Sequence, residues 1–197
     1  MKKAILIVVT VLAAQAAPVA HAGERQWNVL FTAGPEANSI QIELSADGRN
    51  YEIDSLVPLE VAGDVCGHPD GEPNKLICVA TEISGFEVNA GGGDDEVSIS
   101  PAVPVPVTLR GGPGDDRLAG GAGDDKLVGG VGADVLLGRG GDDSLFGGPD
   151  RDRLLGGPGD DLLRGGPGPD LLNGGGGEDR IRGDAGHDVV AQHPRKS

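Results

Sequence analysis

Aspartate returns at one phase in nine along residues 111–191. The segment divides without remainder into GGPGDDRLA, GGAGDDKLV, GGVGADVLL, GRGGDDSLF, GGPDRDRLL, GGPGDDLLR, GGPGPDLLN, GGGGEDRIR and GDAGHDVVA. The sixth residue of every unit is Asp: Asp116, Asp125, Asp134, Asp143, Asp152, Asp161, Asp170, Asp179 and Asp188. With 15 Asp among these 81 residues, nine hits at one phase would arise by chance on the order of one time in ten million. A looser copy, AGGGDDEVS at residues 90–98, puts Asp95 and Val97 in the same phase. Carboxylates at fixed spacing, with no parallel row of Cys or His, are hard oxygen ligands and suit a hard cation rather than a soft one.

Something must hold those carboxylates in line. Position 1 is Gly in every unit and position 8 is Leu, Ile or Val, from Leu118 to Val190. A flexible linker has no reason to keep phase, or to place one buried-type aliphatic every nine residues, whereas a solenoid needs that residue to line its interior. Glycines at positions 1, 2 and 4 are expected to supply the unusual backbone angles of a tight turn. Positions 7 to 9 make a minimal strand, with position 8 inward and 7 and 9 outward. Arg117, Lys126, Arg153, Arg164, Arg180 and Arg182 all fall at 7 or 9. Turn plus strand is half a coil, so two units make a coil of 18 residues with a sheet on each side. Asp116 then lies beside Asp134, Asp125 beside Asp143 and Asp134 beside Asp152.

Stacked carboxylates destabilise one another unless a charge compensates them. Residues 111–191 hold 16 acids and eight bases, a net of −8. Calcium accepts six to eight oxygens in flexible geometry and can use turn carbonyls, whereas magnesium insists on a tight octahedron. Ordering so much glycine is entropically costly, so folding is expected to be coupled to metal binding.

The GGxGxDxUx units resemble the repeats-in-toxin, or haemolysin-type calcium-binding, family. The resemblance implies an all-β fold: a right-handed parallel β-roll or β-solenoid of nonapeptide repeats, here with an irregular N-terminal β module. It also implies Ca2+ ions between turns n and n+2, held by the position-6 carboxylates and by turn carbonyls. Carried over unit by unit, the carboxylate ligands are Asp116, Asp125, Asp134, Asp143, Asp152, Asp161, Asp170, Asp179 and Asp188, with Asp95 in the looser copy. The carbonyl ligands are those of Gly111, Pro113, Gly120, Ala122, Gly129, Val131, Gly138, Gly140, Gly147, Pro149, Gly156, Pro158, Gly165 and Pro167. Nine turns allow up to seven full sites. Arg139, Asp150, Arg151 and Asp184 depart from the repeat and are expected to distort individual turns. Asp115, Asp124, Asp142 and Asp160, at position 5, read either as solvated charges or as further ligands.

The rest of the chain bounds the function. MKKAILIVVTVLAAQAAPVAHA has the basic start, short apolar run and AxA triplet of a cleaved secretory signal, predicting a mature chain from Gly23 and an extracellular product. Formal net charge is −15, and −17 without Lys2 and Lys3. Such a chain is repelled by nucleic acid and anionic membranes and attracts cations. Neither a lipidation site nor a hydrophobic anchor is expected. Cys66 and Cys78 are expected to form a disulfide in an oxidising compartment, because His68 alone cannot complete a zinc site. Residues 23–88 read as short strands (WNVLFT, SIQIELS, YEIDSLV, KLICVAT, EISGFEV) that either cap the roll or continue it. Residues 89–110 are a degenerate repeat and junction in which Val103, Val105, Val107 and Leu109 alternate inward, and 192–197 a basic tail. Aromatics are 3% of the chain, which argues against a conventional aromatic core.

No HExxH or GxSxG motif is present, and the four His are scattered at 21, 68, 187 and 193, so no catalysis is expected. A calcium-dependent adhesin, or a module binding cell-surface polysaccharide or protein, is the alternative to a structural calcium binder. An enzyme's export tail is a third, weaker reading.

Overall fold

The computed structural model describes residues 7–13, 27–55, 59–62, 66–67, 69, 72–80 and 83–191. The predicted cleavage point Ala22–Gly23, His68, His193 and the basic tail lie outside the described residues. In chain order the strands are β1 (Ile7–Ala13), β2 (Trp27–Thr32), β3 (Ser39–Leu44), β4 (Asn50–Ser55), β5 (Leu59–Ala62), β6 (Cys66–Gly67), β7 (Lys75–Val79), β8 (Ile83–Asn89), β9 (Glu96–Ile99) and β10 (Val107–Pro113). They continue as β11 (Arg117–Ala119), β12 (Lys126–Val131), β13 (Val135–Leu137), β14 (Ser144–Phe146), β15 (Arg153–Pro158), β16 (Leu162–Pro167), β17 (Leu171–Gly176), β18 (Arg180–Ala185) and β19 (Val189–Ala191).

Consecutive strands alternate between two sheets, as half-coils must. One sheet runs β18-β16-β14-β12-β10-β8-β2-β1-β5 and the other β19-β17-β15-β13-β11-β9-β3-β4-β7-β6. From β2 and β3 onward every pairing toward the C-terminus is parallel, and the whole is an all-β parallel solenoid of about six turns. The expected 18-residue coil is the register itself: Leu118 pairs with Leu136, Leu136 with Leu154 and Leu154 with Leu172. Opposite them, Leu109, Leu127, Leu145 and Leu163 stack in the same way. These leucines are buried at 0–1% exposure and fill the interior with one aliphatic per half-coil.

The inward rule fades at the open end. Ile181 is only partly buried and Val190 is 49% exposed, because among the described residues β18 and β19 are the edge strands of their sheets. At the other end the 27–89 module shares both sheets with the repeats, so it continues the solenoid. It then turns antiparallel through β4, β7 and β6, and through β1 against β2. Phe31, Tyr51 and Phe86 cluster there, Tyr51 meeting Phe86 edge-on at 4.9 Å. The few aromatics are thus concentrated in the module, and the repeat interior is aliphatic. Cys66 and Cys78 are disulfide-bonded across the β6–β7 pair. The apolar run Ile7–Ala13, expected to leave with a signal, is paired between β2 and β5.

Two turn expectations are corrected. Several repeat strands run six residues, through positions 1 to 3 of the next unit, so the sharp bend narrows to positions 4 to 6. Positive φ occurs at positions 2 and 4, as at Gly130 (130°) and Gly132 (132°), and not at position 1. Position 1 is Gly for space: a Cβ on Gly129 would lie 2.1 Å from Asp134 Oδ2. Arg139, Asp150 and Asp184 keep the turn by adopting the same positive φ (82°, 88° and 72°) rather than distorting it. In the 99–110 junction Val103 and Val107 are buried, but regular strand begins only at Val107.

Leu136→Ala, at the centre of the leucine stack, is expected to cost about 2–5 kcal/mol, and Val190→Ala less than about 1 kcal/mol. Urea unfolding of both variants in calcium-containing buffer checks this.

Candidate metal centre

Each position-6 Asp stands between a turn and the strand that follows it. The coil register therefore sorts these residues into two rows along the solenoid edges. One row is Asp95, Asp116, Asp134, Asp152, Asp170 and Asp188; the other is Asp125, Asp143, Asp161 and Asp179. Backbone bonds fix each row. The Asp116 N–H donates to Asp134 Oδ1 at 2.9 Å, Asp134 to Asp152 at 2.9 Å, and Asp152 to Asp170 at 2.9 Å. Asp125 N–H likewise donates to Asp143 at 2.8 Å, and Asp143 to Asp161 at 2.8 Å. Asp170 to Asp188 and Asp161 to Asp179 are longer, 3.1 Å each, as the end opens. Asp95 extends the first row: its N–H reaches Asp116 Oδ1, and its own Oδ1 accepts from the Asn38 N–H. Asn38, missed from sequence, thus takes the row's place in the N-terminal module.

One oxygen of each carboxylate is spent on this ladder. The other, Oδ2, is buried without a hydrogen-bond partner in Asp95, Asp116, Asp134, Asp143, Asp152, Asp161 and Asp170. These residues are only 1–2% exposed. Burial without a donor holds their carboxyls above the ordinary value of 3.8: to about 7 in Asp134 and Asp143, and to about 6 in Asp95, Asp152 and Asp161. Neighbouring carboxylates add repulsion, as Asp152 and Asp116 do at Asp134. A stack of buried, unpaired acceptors under repulsion is a set of oxygens that a cation would satisfy.

Turn carbonyls lie close to these carboxylates. The point 2.1 Å from Asp134 Oδ2 that a Cβ on Gly129 would occupy is also 2.8 Å from the Gly147 carbonyl of the next coil. Gly111, Gly120, Gly138, Gly156 and Gly165 stand in the same relation to Asp116, Asp125, Asp143, Asp161 and Asp170. Several expected carbonyls also accept a backbone bond: Gly111, Pro113, Val131, Gly147, Gly156, Gly165 and Pro167. Each keeps a second lone pair. Ala122, Gly140, Pro149 and Pro158 hold the equivalent position-3 place in their units. Among the described residues no three Asp, Glu, His or Cys side chains converge, so an ion here would draw largely on carbonyls. A carboxylate row interleaved with backbone oxygens fits a hard divalent cation such as calcium.

Position 5 carries a second ladder that periodicity did not reveal. Asp115 N–H donates to Asp94 Oδ1, Asp142 N–H to Asp124, Asp160 N–H to Asp142, and Glu178 N–H to Asp160, at 2.8–2.9 Å. These carboxylates are exposed and bond in the opposite sense along the axis to position 6. They brace the turns. On the edge of Asp116 and Asp134 this ladder ends where the Ala133 N–H donates to Asp115 Oδ1; beyond it position 5 carries Arg151, Pro169 and His187, which with Arg153 and the row carboxylates Asp134, Asp152 and Asp170 line a surface trough. The edge of units 2, 4, 6 and 8 is therefore acidic outside, whereas the other is acidic at Asp94 and Asp115 and carries Arg151 and His187 further along.

Raised carboxyl pKa values set the sign of the pH dependence without metal. Between the unfolded value of 3.8 and the folded value of about 7 at Asp134 and Asp143, the folded chain binds more protons. The stability these two groups contribute is therefore fully present below about pH 4 and is lost as pH rises through 7. Circular dichroism in chelator should show more β structure at pH 4.5 than at pH 8.

A family model for the RTX calcium-binding nonapeptide repeat matches in four overlapping copies, over residues 108–136, 120–154, 128–163 and 155–190. Compared with curated proteins and with solved structures, the chain finds no match. The matched segment contains the nine units except Ala191, and both carboxylate rows except Asp95. Residues 108–190 thus match the RTX calcium-binding nonapeptide repeat and are wound into a parallel β-solenoid.

Proposed function

We propose that the protein is a secreted, non-catalytic calcium binder whose repeats take up several ions, up to about seven, between stacked turns and fold as they do so. The row of buried Oδ2 atoms without donors carries this reading. Calcium neutralises the row and satisfies those oxygens together, which removes the cost of ionising them at neutral pH. The ligands are the position-6 aspartates other than Asp125, whose Oδ2 already accepts from the Gly121 N–H, and the position-1 and position-3 carbonyls named above other than that of Gly120, with Asp95 extending the set. Metal and acid then act in opposite directions: protons stabilise the metal-free roll, whereas calcium needs the ionised carboxylates and is released by acid.

Export rests on the MKKAILIVVTVLAAQAAPVAHA leader and on the disulfide, which suits an oxidising compartment. Cleavage after Ala22 removes β1 and frees the β2 edge. Mass spectrometry of protein from the culture medium should find a chain starting at Gly23.

A second reading, adhesion to acidic cell-surface polysaccharide, is favoured by Arg151, Arg153 and His187 in the trough, beside Asp134, Asp152 and Asp170, which calcium would neutralise. The Arg151→Ser/Arg153→Ser variant should then lose most of its retention on an acidic polysaccharide resin, in calcium, relative to the unaltered chain.

Calcium titration followed by circular dichroism and calorimetry tests the main reading. Several ions should bind per chain, with a gain of β structure that EDTA reverses. Unchanged spectra with and without EDTA would defeat the coupling of folding to metal.

A further inference from the structure

Asp125 departs from the other carboxylates of its row. Its Oδ1 accepts from the Val107 N–H at 2.8 Å, and its Oδ2, unlike that of the other buried position-6 aspartates, accepts from the Gly121 N–H at 2.6 Å. The turn has been reshaped to allow this. Gly121 and Gly123 lie outside the left-handed region that positions 2 and 4 occupy in units 1, 3, 6 and 7.

A cation of the chain's own reaches the same turn. Arg139, two units further on, extends back so that Nη1 donates to the carbonyl of Gly120 at 2.8 Å and to that of Ile99, while Nη2 lies 3.4 Å from Ser98 Oγ. Ile99 follows the pair Ser98–Ala119 and so is the Gly120 counterpart one coil earlier. The guanidinium thus bridges the position-1 carbonyls of two successive coils, the oxygen type expected to face an ion in the other turns. Its charge also acts on Asp125, and that of Asp125 on it.

The charges match. Eighteen residues before Asp125, where the row would carry another carboxylate, stands Val107. One carboxylate then faces one monovalent guanidinium, where elsewhere two carboxylates flank each gap. Arg139 also holds a positive φ of 82° that a non-glycine residue adopts only at a cost, and its side-chain contacts offset that cost.

We infer that Arg139 is a resident cation that closes the Asp125 turn in place of calcium, so that on this edge the coil nearest the N-terminal module is joined to the repeats without metal, while the Asp95–Asp116 edge keeps its calcium ligands. The inference rests on the calcium reading above. Calorimetric counting of bound calcium on the unaltered chain, Arg139→Gly, Asp125→Asn and Asp143→Asn separates the two. Arg139→Gly restores the residue found at position 2 of the neighbouring units, and should bind one ion more per chain. Asp125→Asn should bind the same number as the unaltered chain, and Asp143→Asn at least one fewer. If the unaltered chain binds calcium but Arg139→Gly gains no ion, or Asp125→Asn loses one, the inference is overturned and the calcium reading stands. If the unaltered chain binds no calcium, the calcium reading falls and the inference with it.

Discussion

A carboxylate placed once per half-coil of a solenoid is placed again one strand spacing away, about 4.8 Å, and again after that. Strand pairing brings the charges together, and the leucine stack that demands pairing also buries them. Leu136 cannot sit on Leu154 unless Asp134 sits beside Asp152. The solenoid answers this repulsion in two ways. Oδ1 is used to cap the backbone N–H of the preceding coil, which turns each acid into part of the ladder. Oδ2 is left facing carbonyl oxygens, and those atoms cannot satisfy it without a cation.

The glycines follow from the same constraint. Position 1 must lack a Cβ because the Asp oxygen of its own unit and a carbonyl of the next coil already occupy that space. Positions 2 and 4, in every unit but the second, take left-handed angles as the chain rounds the edge. Glycine therefore serves two separate ends, space and angle. Where Arg139, Asp150 and Asp184 replace it at an angle position the turn survives, whereas position 1 admits no replacement in any of the nine units.

The ends of the stack are governed by what covers them. The antiparallel strands of the N-terminal module close one end with a small aromatic cluster and a disulfide, whereas at the other end Val189 and Val190 are exposed and the carboxylate ladder lengthens to 3.1 Å. Order in a parallel solenoid comes from neighbours on both sides, so the last coil has half of what an inner coil has. This is why the position-8 rule, sound from Leu118 to Leu172, weakens at Ile181 and Val190.

The residues by themselves determined the coil length, the inward leucines, the two aspartate rows and the hardness of their ligand set, because a nine-residue period leaves each of these only one arrangement. The strands of the N-terminal module were legible from their alternation, and the Cys66–Cys78 pairing from the absence of other partners. Tertiary structure decided what periodicity cannot contain. Which oxygen of each Asp is spent on the ladder, that the position-5 carboxylates form a second ladder, and that Asn38 ends the first row all depend on contacts between coils 18 or more residues apart. Arg139 is the clearest case. In sequence it breaks a repeat, and only the stacking of coils brings its guanidinium back onto Gly120 and Ile99, where a long side chain can reach what its own unit cannot.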